Sequence, residues 1–386
     1  MRELVRRIES ATPADRDRAL DALRGLAILG VVCGHWLVTA LVADSGTVHG
    51  ASPLQYMPQF TPVSWVFQTL AVFFLVGGHV GAKGYACARA RGESYGRWLR
   101  ARTGRLFRPV AVVLAVWIVA AGVMLASGVD QDTVRTLAKL VWSPLWFLLV
   151  FTALTAATPL AMRLHPLWPL AVVLHVDLFR LGLDGPAALG RLNVAAGWLV
   201  PYCLGAAWAQ GGLRSRRTGW ALLLGGAGAT AGLVLLAGYP ASMVGVPGGE
   251  LSNLDPPTLA AVAFGLAQCG AALLLLGPLR RVLARPAVWA AVALVNLSAM
   301  TLFLWHQTAM IVVTSTALFL GGPLPGLHTV PDGPAWVLAR LAWLPVFALV
   351  LLVLRHTFAA YEQGRSDRST VVRKNSPARL KESRRA

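Results

Sequence analysis

Ionisable side chains inside an apolar stretch are costly, so each one marks a place where chemistry can happen. The richest such place runs Leu20-Asp21-Ala22-Leu23-Arg24-Gly25 and on to Gly34-His35-Trp36. Arg24 and His35 are 11 residues apart. Eleven steps of about 100° leave them roughly 20° out of register on one helix face, about 16 Å apart along its axis. Asp21 lies about 40° away on the same side. A guanidinium offers a fork of donors to an anion, and an imidazole takes and returns protons near neutral pH without a metal. The pair suits an anionic ligand that enters at the arginine end and presents its reactive end to His35. Gly30 and Gly34 leave room for a neighbouring helix or a ligand to come close. In purely structural terms the same residues are a snorkelling interfacial arginine and a hydrogen-bonded core histidine.

The helix that carries them must lie in a membrane. Of 386 residues, 56% are hydrophobic and 13% charged, against about 25% charged in a soluble domain. Apolar runs recur from Ala19 to Leu354, each about 20 residues long, which crosses roughly 30 Å of hydrocarbon. They divide into about ten spans, near 19–43, 60–82, 109–129, 141–162, 166–182, 189–210, 219–239, 258–278, 288–320 and 335–354. The chain reads as an all-α polytopic membrane protein, and a soluble globular fold is excluded. The net charge of +18 follows the topology rather than a nucleic-acid partner. Of the 35 Lys and Arg, 29 fall in alternate loops and the termini, Arg24 lies within the first span, and Arg135, Lys139, Arg180, Arg191 and Arg340 fall on the other side. The positive-inside rule puts the rich side, with both termini, in the cytoplasm of a cell-membrane protein. The expected parts are a cytoplasmic segment 1–18, a transmembrane domain 19–354 and a basic tail 355–386, disordered and drawn to anionic lipid.

Local signals refine this outline. Thr12-Pro13-Ala14-Asp15 has the form of a helix start, which predicts one helix from there to about Ala43. Residues 83–108 read as an arginine-rich connection ending at Pro109. The run 287–320 has 34 residues without proline, roughly 51 Å as a straight helix. That overshoots one crossing and predicts a strong tilt or a break near Asn296-Leu297-Ser298. Asp177 and Arg180 stand at i, i+3, the spacing of a structural ion pair. Four cysteines form no disulfide framework, and no metal-ligand spacing appears.

The opening Leu20-Asp21-x-x-Arg24-Gly25 with His35 eleven residues past the arginine resembles the first helix of the acyltransferase 3 family of integral membrane proteins. The resemblance continues through the phenylalanine-containing run Val72–Gly78, the arginines before Pro109, Trp146-Phe147-Leu148 and Leu302-Phe303-Leu304-Trp305-His306. It covers about residues 15–354. It implies transfer of an acyl group, usually acetyl, from cytoplasmic acyl-CoA as co-substrate to a hydroxyl of a carbohydrate or lipid-linked acceptor, with no permanently bound cofactor. His35 would be the general base or carry the acyl group itself. Arg24, Arg102, Arg105 and Arg108 would hold the phosphates of coenzyme A. Trp305 and His306 would line the cavity. His79 departs from the family's Ser-Gly-Phe and is expected near the outer end of the second span, lining the acceptor path or satisfied as a structural residue. The chain lacks the soluble domain that some members append, which leaves open whether it completes O-acetylation or passes the acyl group to an extracytoplasmic partner. The alternative from another class is a proton-coupled transporter of a small anionic solute, which also needs arginine and histidine facing a mid-membrane cavity.

Overall fold

A computed structural model describes residues 2–247 and 251–362. Nine helices among the described residues are long and apolar enough to cross a membrane. The chain opens with a short helix, α1 (Arg2–Ala11), whose Val5 and Ile8 are partly buried while its arginines are exposed. α2 (Arg18–Val38) carries Arg24 and His35. A two-stranded ribbon follows, β1 (Ala40–Asp44) against β2 (Thr47–Ala51). Then come α3 (Leu70–Ala90), α4 (Tyr95–Ala126), α5 (Gln131–Trp142), α6 (Trp146–Ala156), α7 (Leu167–Asp177), α8 (Arg191–Ala209), α9 (Arg216–Leu236), α10 (Leu259–Val282), α11 (Pro286–Leu297), α12 (Ala299–Gly321) and α13 (Pro334–Glu362).

The first helix does not start at Thr12 or run to Ala43. Thr12 uses its hydroxyl to bond Ile8 O at 2.7 Å and to accept from Trp289 Nε1 at 2.8 Å. The cap of α2 is instead Asp17, which accepts from Ala19 N and from Arg280 at 2.8 Å. At the far end the helix gives way to a hairpin whose two loop residues, Ser45 and Gly46, have φ of 50° and 84°, the backbone a tight turn between twisted strands requires. The expected connection 83–108 is also largely helical. α3 continues to Ala90 and α4 begins at Tyr95, with Pro109 inside it, because arginine, leucine and alanine are good helix formers. The last helix likewise runs past 354 to Glu362, and the rest of the expected tail, 363–386, lies outside the described residues.

The expected fifth span is the short one. α7 has 11 residues and runs into a π-helical turn, Leu178–Gly182. It still joins the two ends of the bundle. Gln210 donates to Met162 O at 3.0 Å just before it, and Asp177 near its end accepts from Leu259 N at 2.6 Å and Tyr239 Oη at 3.1 Å. Asn296 bonds Asp21 O near the start of α2 and Arg355 near the end of α13 bonds the neighbouring Ser298, so α2 begins and α13 finishes at the same, arginine-rich end. Asp177 makes no ion pair with Arg180. It takes Asn193 Nδ2 at 2.9 Å as its third partner, and the π turn carries Arg180 out of the i, i+3 position that a regular helix would give.

Lipid supplies no hydrophobic force between helices, so close packing has to do the work. α3 and α8 cross at Gly78 and Gly205. A Cβ on either would stand 2.0 Å from a backbone carbonyl of the other helix, Tyr202 O or Leu75 O. The central core gathers Ile28, Val32, Phe74, Phe147, Trp198 and Phe303 around the middle of α2.

Candidate active site

The 34-residue run breaks where its length demands. Ser298, at φ −119° and ψ 12°, separates α11 from α12, and Arg355 donates to its hydroxyl. The break sets both halves beside α2. On the first half, Asn296 Oδ1 accepts from Arg24 Nε at 2.6 Å, while Asn296 Nδ2 donates to Asp21 O at 2.7 Å and Val292 O at 3.0 Å. On the second half, the ring of His306 faces that of His35 with centroids 5.1 Å apart, and the amide of Gln307 lies 3.2 Å from His35 Nδ1.

Hydrogen-bond partners fix one of these imidazoles. His306 Nδ1 is 2.6 Å from Phe303 O. A carbonyl can only accept, so Nδ1 carries the proton and the lone pair of a neutral ring sits on Nε2. That nitrogen is buried and has no hydrogen-bond partner among the described residues. Gln307 Oε1 is in the same condition. His35 itself keeps part of its surface accessible. Trp36, the next residue, donates from Nε1 to His306 O at 2.9 Å and so ties α2 to α12 at the level of the two rings. On the other flank, Phe303, Phe147 and Phe73 form a chain of ring contacts leading away from His306, at 6.0, 5.5 and 4.9 Å. Gly30 is backed by the Thr69 side chain, which bonds Ala27 O at 2.7 Å, so its close approach is to a neighbouring helix end.

The arginines of the sequence reading separate. Arg24 is one-third exposed, with Asp21 Oδ1 at 3.4 Å. Asp21 also binds Arg16 at 2.6 Å and 3.2 Å, so one carboxylate serves two guanidiniums. Arg102 lies over Gly84 of α3 with Trp98 beneath it, 5.9 Å from its centroid, and feels the like charges of Arg105 and Arg24. Arg105 and Arg108 are exposed, and Arg105 turns its Nε onto Ala101 O at 3.1 Å. Only Arg102 is drawn in from that row, because its turn of α4 packs on α3 while the next ones face outward.

Two placements correct the sequence reading. His79 is not near the outer end. It is buried on α3 with its ring 4.2 Å from Trp208, both nitrogens without a partner among the described residues, and it feels Lys83 and Asp17 at the arginine-rich end. The span 60–82 leads into the arginine-rich connection 83–108, so position 79 belongs near that end, and α3 runs the same way. Trp305 does not share a wall with His306. Successive helix residues point about 100° apart, and Trp305 stacks on Phe358 of α13 at 3.9 Å.

The sequence reading assigned no role to Gln307 and counted Arg340 only as a topological exception. Arg340 is 1% exposed and donates to Trp36 O at 2.6 Å, Thr39 O at 2.6 Å and Gly326 O at 2.9 Å. It thereby closes the C-terminal end of α2, one residue beyond His35. Its isolation as the one charge in an apolar run was the available signal.

His35 on α2 and His306 on α12 face each other mid-bundle in an all-helical membrane protein, and the other end of α2 gathers guanidiniums. A family model for an acyltransferase domain matches residues 17–355. The chain belongs to that family, acyltransferase 3, and is a membrane acyltransferase. No curated protein and no solved structure matches it.

Proposed function

We propose that this protein moves an acetyl group from acetyl-CoA, presented at the arginine-rich, cytoplasmic end, to a hydroxyl of a carbohydrate or lipid-linked acceptor in the cell membrane. The observation that carries the reading is the facing of His35, on the helix that also holds Arg24, and His306 of α12, with ring centroids 5.1 Å apart. In this mechanism Arg24 and Arg102 take the donor's phosphates, since Arg24 shares Asp21 with Arg16 and Arg102 feels its like charge, a crowding that an anion relieves. The acceptor O–H gives its proton to the imidazole lone pair of His35 while its oxygen attacks the thioester carbonyl. The C–O bond forms, the C–S bond breaks, and coenzyme A leaves as the thiolate, which takes a proton. His306, its Nδ1–H held on Phe303 O, keeps a second lone pair beside the reacting groups.

The test uses purified protein in nanodiscs with acetyl-CoA labelled in the acetyl group and a membrane lipid extract as acceptor. Wild type is expected to release CoA and transfer label, His35→Ala to bind acetyl-CoA without turnover, and Arg24→Ala to bind it more weakly. A wild type that neither binds nor turns over acetyl-CoA overturns the reading and favours the carrier of small anions.

A further inference from the structure

Two contacts between α2 and the broken pair α11–α12 share one sequence offset. Arg24 meets Asn296 and His35 meets Gln307, each across 272 residues, so the 11 residues between Arg24 and His35 are matched by 11 between the two amides. Helices that run the same way rise together at about 1.5 Å per residue, and here the match survives the break at Ser298. Each amide is tied into its surroundings differently. Asn296 is 9% exposed and spends both amide hydrogens on backbone carbonyls, Asp21 O and Val292 O, which orients its oxygen toward Arg24 Nε. Gln307 is 2% exposed, and its second amide atom, Oε1, is buried without a partner.

A carboxamide is the side chain suited to both places. It offers a donor and an acceptor but carries no charge and does not titrate, so it neither competes with a phosphate for Arg24 nor with substrate for the proton of His35. An amide turned by 180° exchanges its oxygen and nitrogen with almost no change of shape. With Oε1 turned toward His35, Gln307 accepts Nδ1–H, its own nitrogen takes the place Oε1 held, and Nε2 of His35 is left as the ring nitrogen with the lone pair.

We propose that Asn296 and Gln307 are paired positioning residues of the acyl-transfer site, Asn296 fixing the plane of the Arg24 guanidinium for the donor's phosphates and Gln307 fixing which ring nitrogen of His35 carries the proton. The proposal rests on the roles given above to Arg24 and His35. It separates two effects that a merely structural polar contact would not separate, donor binding at one amide and proton transfer at the other.

The experiment measures CoA release from acetyl-CoA by the full chain in nanodiscs, across pH, with a membrane lipid extract present. Asn296→Ala is expected to raise KM for acetyl-CoA about tenfold with kcat close to wild type, and Asn296→Asp, whose charge competes with the phosphates for Arg24 and which loses both amide donors, not to restore KM. Gln307→Leu is expected to lower kcat about a hundredfold, the low end of what a correctly held proton acceptor contributes, with KM nearly unchanged. Gln307→Glu keeps an acceptor at Nδ1 and adds a charge that favours the imidazolium, so it should retain most of kcat while the acid limb of kcat/KM moves to higher pH. His306, the titratable ring against His35, is present in all of these proteins, so the movement belongs to position 307. Unchanged kinetics in both alanine and leucine variants, or equal losses in kcat and KM at both positions, overturn the proposal while leaving the acyl-transfer reading standing. If Gln307→Leu does not fold, an unmoved acid limb in Gln307→Glu overturns it alone. A wild type inactive toward acetyl-CoA overturns the proposal together with the reading beneath it.

Discussion

The histidines of this chain differ in what their neighbours allow them to do. His306 gives its Nδ1 proton to a backbone carbonyl and keeps an unpartnered Nε2 beside His35. His306→Gln should therefore lower turnover at least about tenfold while acetyl-CoA affinity, which the proposed reading assigns to the other end of α2, stays the same; isothermal titration beside CoA-release kinetics checks both. His328, in the connection between α12 and α13 at the end opposite the arginines, is locked the opposite way. Leu324 N donates to its Nδ1 at 3.0 Å, and its Nε2–H bonds Thr314 O at 2.8 Å. Burial holds its basicity below the ordinary range, against the Thr314 carbonyl, which pulls the other way. The folded form thus binds a proton less readily than the unfolded chain, whose histidine titrates at about 6.5. Its contribution to stability is complete above that pH and is lost as pH falls toward the lower folded value. The loss of thermal stability in detergent between pH 7 and 5 should be smaller in His328→Gln than in wild type. Arg24 and His35 could be read from sequence because charge and imidazole in an apolar helix need a reason. Asn296 and Gln307 gained their meaning only from partners 272 residues away.

Among elements, the break at Ser298 was legible as an excess of length, and its site followed from the polar residues beside it. The end of α2 was not legible, since nothing local in residues 36–43 announces a hairpin except the Ser45-Gly46 pair. What finishes the helix is Arg340, from the last pass of the chain, bonded to Trp36 O and Thr39 O. Removing that side chain leaves three carbonyls without their donor. Arg340→Ala should cost about 3 kcal/mol of unfolding free energy, read by chemical denaturation in detergent micelles. Arg340→Lys should recover only part, because an ammonium cannot span the carbonyls as the planar fork does. The crossing of α3 and α8 sets a different limit. Gly205→Ala puts a methyl 2.0 Å from Leu75 O, so the helices must part, at a cost of about 1–3 kcal/mol, visible as a lower melting temperature and a smaller folded yield.

For the molecule as a whole, the arginine bias carried most of the information. It predicted ten passes with both ends together; nine helices among the described residues are long and apolar enough to cross, and the remaining one, α7, has only 11 residues. Cys87 is exposed at the arginine-rich end, and Thr47 is exposed in the outer hairpin. In a protein whose other cysteines are replaced by serine, Cys87 should react with a membrane-impermeant maleimide only after cells are opened. With Cys87 also replaced, Thr47→Cys should react in intact cells. The opposite pattern inverts the topology. Finally, α2 holds its arginine and its histidine on one unbroken rod, about 16 Å apart, and a rod of fixed length is a ruler. On the proposed reading a donor satisfies both marks only if its anionic head and its carbonyl are that far apart. S-acetyl-N-acetylcysteamine, which keeps the thioester but has no phosphates, should have a much lower kcat/KM than acetyl-CoA in wild type. In Arg24→Ala the two donors should converge, since once one graduation is erased the enzyme can no longer measure what it is given.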